Sequence, residues 1–502
     1  MSRGLTRRDT LRLSSLALGG LALSGGSRPG EAAITCPTTS PCYPTPLPKD
    51  SWDYFTHLDT LHPWTYDDTG EVVGEKLQPN EMRIIFMGSV IPPVRRAQAE
   101  MSIFVEVGWD DEANAPLDHA VFDMGAGVCA NYGASGVGYA RMDKVFLCHL
   151  HGDHMSDLTH AYCFGPSGDR KSPLYVWGPG PSGIQNPDWP YNYFNDGTKA
   201  YCAALRKACR WHTESFSFEG TRYKEYERPT RKSWGLPCEP VPVGDDDPSD
   251  GYALVPIELD WTRYGQKPLD NVAYWNKKTG VKITHYPVIH TRQGSIGYVL
   301  EWNGLTMIYS SDTRPETHSI KKAINGGKGV DVFIHEMVVP PEVWAMKNLG
   351  LDAPGQGVRW DATVNDMKKV QDSSHTPQGA FGYLLSRIDP KPRLTVATHF
   401  PVADDTVGCA MGSVKNHWGD AKLDKETGNM TWAFDIMAVQ VFAGDPKPRI
   451  LQKQLVVNDF GFSPVAHLLG PIADPKYAGP KDQIDTSTEI EAGPETYCEN
   501  GY

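Results

Sequence analysis

Short apolar runs recur along the chain, and their length and spacing mark strands rather than helices. The first reads Arg83-Ile84-Ile85-Phe86-Met87-Gly88, a second spans 101–107, and a third, Ala120-Val121-Phe122-Asp123, ends in Met124-Gly125-Ala126-Gly127. Lys144-Val145-Phe146-Leu147-Cys148 reads as a buried strand. Further strands are predicted near 281–289, 296–302, 305–310, 330–334 and 394–397, and helical spacing covers 361–371 and 377–388. Two last strands are predicted about 432–442 and 449–457. Strands in consecutive pairs, interspersed with helices, predict an α/β layered sandwich. Residues 34–80 are rich in Pro, Asp, Thr and aromatics and read as an extension wrapping the core. Residues 163–280 hold many Gly, Pro and aromatic residues without a strong period and read as an insertion within a main domain spanning 81–445. Residues 446–502 supply a strand and an acidic, Gly/Pro-rich tail.

The 502 residues, 40% of them hydrophobic, suffice for one large core with insertions or for two domains. The 49 Gly and 40 Pro are spread rather than periodic, which excludes collagen-like repeats. A formal charge of −13 argues against a general polyanion binder, because such affinity comes from phosphate neutralisation. No long apolar stretch follows the N-terminus, so no membrane span is expected. Residues 1–33 read as an export signal: Thr6-Arg7-Arg8-Asp9-Thr10-Leu11-Arg12 precedes a Leu/Ala/Gly/Ser run ending near Gly26. The paired arginines suggest the twin-arginine type and a periplasmic or extracellular destination; the alternative is a Sec signal that carries two arginines. Cleavage after Ser24 and cleavage after Ala32 are both compatible with the sequence. Ten cysteines fit an oxidising compartment. Cys36 with Cys42, and two of Cys163, Cys202, Cys209 and Cys238, are plausible disulfide partners, while Cys148 sits in an apolar strand where burial is the expected role.

The chemistry concentrates in His149-Leu150-His151-Gly152-Asp153-His154, directly after the strand 144–148. Side chains at i and i+2 of an extended segment share a face, so His149 and His151 can grip one cation together. After the turn at Gly152, Asp153 and His154 can face a second. Four metal-ligating residues out of six are hard to explain otherwise.

This His-x-His-x-Asp-His motif at a strand end, after a strand closing in Asp-x-Gly, resembles the metallo-β-lactamase fold superfamily. Four further pieces match in the family's order: Asp123 in Phe-Asp-Met-Gly-Ala-Gly, His290 ahead of Ser295-Ile296-Gly297-Tyr298-Val299, Asp312 in Ser310-Ser311-Asp312-Thr313, and His399 in Ala397-Thr398-His399-Phe400. The resemblance covers about 81–162 and 281–445 and implies an αβ/βα four-layer sandwich with the insertion and the two terminal extensions. It further implies that His149, His151 and His290 hold one divalent metal ion and Asp153, His154 and His399 a second, with Asp312 bridging and Asp123 bracing the loop. A hydroxide between the ions would then be the nucleophile. Zinc is the default for this donor set, with manganese or iron as alternatives. His285 competes with His290 for its place. Ser311 departs from the family, which has Gly there.

Asp312 argues against β-lactamase activity as the main one, and Thr291-Arg292-Gln293-Gly294 after His290 departs from the glyoxalase II and persulfide dioxygenase pattern. The best local matches are to the ribonuclease Z and arylsulfatase-like branch, through Val332-Phe333-Ile334-His335-Glu336 and Ser374-His375-Thr376-Pro377. Thr376 can N-cap a helix that Pro377 opens, which would set His375 where a phosphoryl or sulfuryl group is held and a proton given to the leaving oxygen. His335 and Glu336 are expected to brace metal ligands. Asp153, Asp312 and His375 are thus the expected catalytic residues, and a small-molecule ester the expected substrate. The alternatives are a lactonase or promiscuous β-lactam hydrolase, a mononuclear iron dioxygenase, or a non-catalytic binding protein. A basic, aromatic stretch at 222–234 is the one nucleic-acid signal. Asp404, Asp405, His417 and Trp418 are candidates to line the mouth of the site, and a dimer is compatible with the sequence.

Overall fold

Alternate residues of a strand face opposite ways, and on Glu81–Gly88 both sets are buried and, beyond the Glu81–Arg83 ion pair, apolar. Met82, Ile84 and Phe86 join one core, Ile85 and Met87 another. A strand covered on both faces belongs inside a layered stack. The computed structural model describes residues 58–67, 69–216, 221–244, 246–265, 271–402, 407–444 and 447–457. Its larger sheets use strands β1 Asp59–Leu61, β2 Glu81–Gly88, β3 Ser102–Val107, β4 Asp118–Phe122, β5 Lys144–Phe146, β6 Leu174–Pro179, β7 Leu254–Leu259 and β8 Val272–Trp275. They continue with β9 Lys282–Pro287, β10 Ile296–Trp302, β11 Leu305–Tyr309, β12 Val332–Glu336, β13 Leu394–Thr398, β14 Met430–Trp432, β15 Met437–Phe442 and β16 Arg449–Leu455. The first sheet runs β1-β16-β15-β2-β3-β4-β5-β6-β7 and the second β8-β9-β10-β11-β12-β13-β14.

Helices follow the strands: α1 Val128–Ala134, α2 Gly152–Met155, α3 Leu158–Phe164, α4 Thr198–Ala208, α5 Arg210–Phe216, α6 Thr317–Ile324, α7 Pro341–Leu349, α8 Val358–Ser374, α9 Gln378–Ser386 and α10 Val407–Lys415. One apolar cluster joins the outer face of the first sheet to α1, α3 and α4 through Tyr132, Leu158, Tyr162 and Leu205. A second fills the space between the sheets with Phe86, Phe122, Phe146, Trp177, Tyr298, Tyr309 and Ile334. A third joins the outer face of the second sheet to α6, α9 and α10 through Ala323, Phe381, Leu385 and Val414. The result is a four-layer αβ/βα sandwich. β4, β5 and β6 are parallel neighbours, as are β11, β12, β13 and β14, so within each sheet these strands end on the same edge.

Two expectations are corrected. The segment 163–280 is not a mere insertion: β6 and β7 extend the first sheet and β8 edges the second. The apolar run of β6 closes in Gly178-Pro179 and that of β7 is interrupted by Pro256, residues that signal loops. The strand expected over 432–442 is two strands in different sheets. The chain crosses between them at Phe434-Asp435-Ile436, with Ile436 in the left-handed region at φ 62°. The helices expected at 361–371 and 377–388 are α8 and α9. From the N-terminal extension, β1 pairs with β16 at the sheet edge. The export signal, Cys36, Cys42, Cys498 and most of the tail lie outside the described residues. Among the described residues, no helix is long and apolar enough to cross a membrane.

Trp177 is fully buried between the sheets, stacked on Phe146 at 4.4 Å, and its indole nitrogen donates to the Ala273 carbonyl at 3.0 Å. Trp177→Ala is expected to cost about 3–5 kcal/mol of unfolding free energy in urea; a loss below about 1 kcal/mol would mean that this layer does not carry the sandwich.

Candidate metal centre

The strand edge holds the site. β5 runs out at Phe146, and the chain continues extended through Cys148, His149 and His151 before turning at Gly152 into the single turn of α2, which carries Asp153 and His154. So short a helix is not stable alone. It is held by one backbone bond from the residue before β3 and one from the loop after β4: Met101 N donates to the Asp153 carbonyl (3.1 Å) and Met124 N to the His154 carbonyl (2.7 Å). Gly125 makes this approach possible, since a Cβ there would sit 2.1 Å from the Asp153 carbonyl oxygen.

Around this loop the structure brings together all seven residues expected as ligands. His149 Nε2 lies 3.1 Å from His151 Nδ1, which lies 3.0 Å from His290 Nε2. Alongside, His154 Nε2 is 3.5 Å from Asp153 Oδ2 and 3.3 Å from Asp312 Oδ1. His399 Nε2 is 3.3 Å from Asp153 Oδ2 and 3.5 Å from Asp312 Oδ2. Asp312 Oδ2 is also 3.8 Å from His290 Nε2, so this carboxylate stands between the two groups.

These residues fit divalent cations. A tetrahedral zinc ion with its ligands at about 2.0–2.1 Å separates them by roughly 3.3 Å, close to the spacings found. His154 Nε2 and Asp312 Oδ1 are buried without a hydrogen-bond partner and face one another. The far nitrogens are occupied instead, which fixes the rings. His154 Nδ1 donates to Asp123 Oδ2 (2.7 Å) and His290 Nδ1 to the Ser374 carbonyl (2.8 Å). His149 Nδ1 lies 3.4 Å from Ser311 Oγ. The His149/His151/His290 and Asp153/His154/Asp312/His399 sets can each hold one ion.

The charge balance differs between the two sets. Burial, reinforced by neighbouring histidines, holds His149 well below the ordinary histidine range and takes His290 down to about 4. These are neutral rings with lone pairs to give. In the second set burial opposes charge, but Asp312, Asp153 and Glu336 overcome it and lift His399 to about 10, and Asp312, Asp123 and Asp153 raise His154 likewise. Burial also works against ionised Asp153 and Asp312, yet the facing histidines keep both carboxyls well below their usual range.

His375 stands at the rim of the second set. Its Nδ1 donates to Glu336 Oε2 (2.9 Å), its ring stacks on His399 with centroids 5.6 Å apart, and it lies 5.0 Å from the His290 ring. Burial disfavours its charged form, but Glu336 and Asp312 raise its pKa. Glu336 also faces His399 Nδ1 at 3.5 Å and accepts a bond from Thr313 N.

Three expectations are corrected here. His335 does not reach the ligands: neighbours on β12 point to opposite faces, and while Glu336 enters the site, His335 packs between Phe333 and Phe381 with Nδ1 donating to the Glu336 carbonyl. Thr376 does not cap α9. Its hydroxyl donates to the Thr313 carbonyl at 2.6 Å, and Pro377 occupies the N-cap position. Trp418 is packed in the outer core and His417 lies against Tyr383, so neither lines the site; Asp404 and Asp405 lie outside the described residues. His285 pairs across the strands with Tyr298 and is in neither ligand set, and His160 stacks on Tyr139. Two supports escaped the sequence reading, the Ser374 carbonyl and the Tyr309 hydroxyl, which donates to Asp123 Oδ2 (2.8 Å). A backbone acceptor leaves no sequence signal, whereas Tyr309 directly precedes the Ser-Ser-Asp-Thr stretch.

Two sheets with helices on both outer faces and these ligands gathered at the strand ends decide the architecture. The chain has the metallo-β-lactamase fold. No family model matches it. It is 25% identical to ribonuclease BN of Proteus mirabilis (strain HI4320) over 224 residues, 43% of this chain, and spans 65% of the length of that curated relative. Among solved structures it is similar to the metallo-β-lactamase fold protein YhfI from Bacillus subtilis, at 14% identity over 72% of this chain and 99% of that one, with a TM-score of 0.39. It is also similar to the short form of human tRNase Z, at 16% identity over 63% and 92%, with a TM-score of 0.37. Zn(2+)-bound PqqB from Methylobacterium extorquens matches at 12% identity over 70% and 98%, with a TM-score of 0.36.

In this metallo-β-lactamase fold chain, Asp312→Ala is expected to lower bound metal, measured by elemental analysis, because the second set loses a carboxylate that also faces His290 of the first; unchanged occupancy would exclude Asp312 as a ligand. Gly125→Ala is expected to push the Asp153 backbone away and lower metal content while the fold persists by circular dichroism. Wild-type metal content in this variant would show that α2 can shift without cost to the site.

Proposed function

We propose that the chain is an exported metal-dependent hydrolase of a phosphate or sulfate ester. The observation that carries this reading is His375, a hydrogen-bond-oriented donor beside both ligand sets. Its side chain is 15% exposed where those of His290 and His399 are 1%, so it is placed to meet a substrate. Two divalent cations held by the ligand sets, zinc by preference for this donor chemistry, would supply a water of lowered pKa and positive charge opposite the ester oxygens. The protein's own residues do the rest. Asp123 and the Ser374 carbonyl hold His154 and His290 in the tautomer that leaves Nε2 free to ligate. Asp312 ties the two sets together. Glu336 orients His375 and favours its protonated form, from which a proton passes to the leaving oxygen as the bond to phosphorus or sulfur breaks.

The similarity to ribonuclease BN supports an ester of phosphoric acid and makes an RNA phosphodiester the second reading. Against it stands the stretch 222–234, where Tyr226 bonds to the Tyr175 hydroxyl and Trp234 stacks on Trp177, turning two of its aromatic rings into the core rather than toward bases. A small-molecule ester is therefore the substrate we favour. Export rests on Arg7-Arg8 and the apolar run after them.

His375→Ala is expected to slow turnover of an aryl phosphodiester or aryl sulfate by about 10²-fold or more with both metal equivalents retained. Equal losses on a lactone, whose hydrolysis does not need this proton donor, would assign His375 a structural role and remove the ground for the ester reading.

A further inference from the structure

Cys163 lies in the last turn of α3 and Cys209 is the C-cap of α4. Both are thiols in the structure, and the Cys209 thiol neighbours that of Cys163. The frame around them is fixed: α3 through Leu158, Ala161 and Tyr162, and α4 through Cys202 and Leu205, share one apolar cluster against which Cys209 packs. His212 Nε2 donates to the Cys163 carbonyl at 2.9 Å, tying α5 to the same point. Of the four cysteines that the sequence offers here, Cys238 is exposed and Cys202 lies two turns earlier on α4.

We propose that Cys163 and Cys209 are a disulfide in the mature protein, stapling α4 to α3 behind the metal loop. The more exposed Cys209 sulfur attacks the disulfide of a thiol–disulfide oxidant and displaces one of its thiolates. Cys163 then attacks the mixed disulfide and releases the second. One S–S bond forms in the protein and one breaks in the oxidant, which takes up the two electrons and two protons the cysteines lose. Burial and the neighbouring thiol push Cys163 up to about 12, so its attack on the mixed disulfide is the slower step at neutral pH, and the pair needs a compartment that supplies the oxidant. This staple therefore suits an exported chain and does not depend on the identity of the ester.

The staple bears on the metal centre through two contacts. Tyr201 of α4 donates its hydroxyl to the Met155 carbonyl, the end of α2, at 3.4 Å. The closed segment also contains Asp196, which pairs with Arg292, two residues beyond His290. Oxidation thus restrains a segment that touches both ligand-bearing loops.

The test uses the full-length chain equilibrated with a glutathione redox buffer and a protein disulfide oxidoreductase, then alkylated in denaturant without reductant and mapped by mass spectrometry. The expected product is one cross-linked peptide pair containing Cys163 and Cys209, lighter than the two reduced peptides by two hydrogen atoms. Reduction should lower the melting midpoint of the wild type by on the order of 5 °C more than that of Cys209→Ser, a partly exposed site whose loss the fold tolerates. Separate alkylation of Cys163 and Cys209, or linkage of either to Cys202 or Cys238, would overturn the proposal. An equal response of wild type and variant to reductant would do the same.

Discussion

The bond from His154 to Asp123 is the interaction on which the site depends. The Asp123 side chain is fully buried, and every strong contact it makes belongs to a different part of the molecule. Oδ2 accepts from His154 on α2 and from the Tyr309 hydroxyl on β11 of the second sheet, while Oδ1 accepts from Cys148 N at the start of the metal loop. Its own N–H donates to the Phe146 carbonyl and its carbonyl accepts from Ser102 Oγ on β3. A buried carboxylate is tolerated only when its oxygens are satisfied, and here satisfying them brings both sheets and the metal loop to one point. The electrostatic requirement of one residue thereby fixes the distance between the layers at the edge where the ligands gather.

That requirement is met at some backbone cost. Asp123, Ser311 and His399 all lie in the left-handed region, at φ 59°, 57° and 59°. For residues with a Cβ such a conformation costs about 1–2 kcal/mol, and it persists where surrounding contacts determine it more strongly than local preference. Each of the three follows the end of a strand, and the left-handed turn swings the chain out of the sheet and into the site. This gives a physical reason for glycine at the position of Ser311 in the family pattern. In this chain the serine accepts the strain, and its hydroxyl sits beside His149 Nδ1.

How much of this could be read in the sequence depended on whether position along the chain encodes position in space. The loop 149–154 was legible because an i, i+2 spacing on an extended segment and a turn at Gly152 define a local shape. His290, Asp312 and His399 come from distant strands and were legible only as pieces of a known pattern. His335 and Glu336 are adjacent and carry equal signal in the sequence, yet alternation on β12 sends Glu336 into the site and His335 into the core. Thr376 looked like a cap from local rules, but a tertiary partner, the Thr313 carbonyl, had the stronger claim on its hydroxyl. β6 and β7 are not legible because Gly178-Pro179 closes the one apolar run and Pro256 interrupts the other, inside a segment whose Gly and Pro signal loops.

This last omission matters for function, because the segment 163–280 supports the site rather than decorating it. β6 lies beside β5, and the Leu147 N–H, two residues before His149, donates to the Trp177 carbonyl on β6. Asp196 is anchored by the Ser182 N–H and hydroxyl at 2.9 and 2.7 Å before it pairs with Arg292. On the far side of that loop, Gly294 at φ 98° packs so closely on Trp261 that a Cβ would come within 2.9 Å of the indole nitrogen. The loop that presents His290 is thus held at two points by residues from this segment. An α2 of one turn and an irregular His290 loop have little rigidity of their own, so the precision of the ligand spacing is borrowed from these neighbours. Sequence change within 163–280 can therefore alter metal affinity as well as the shape of the entrance to the site.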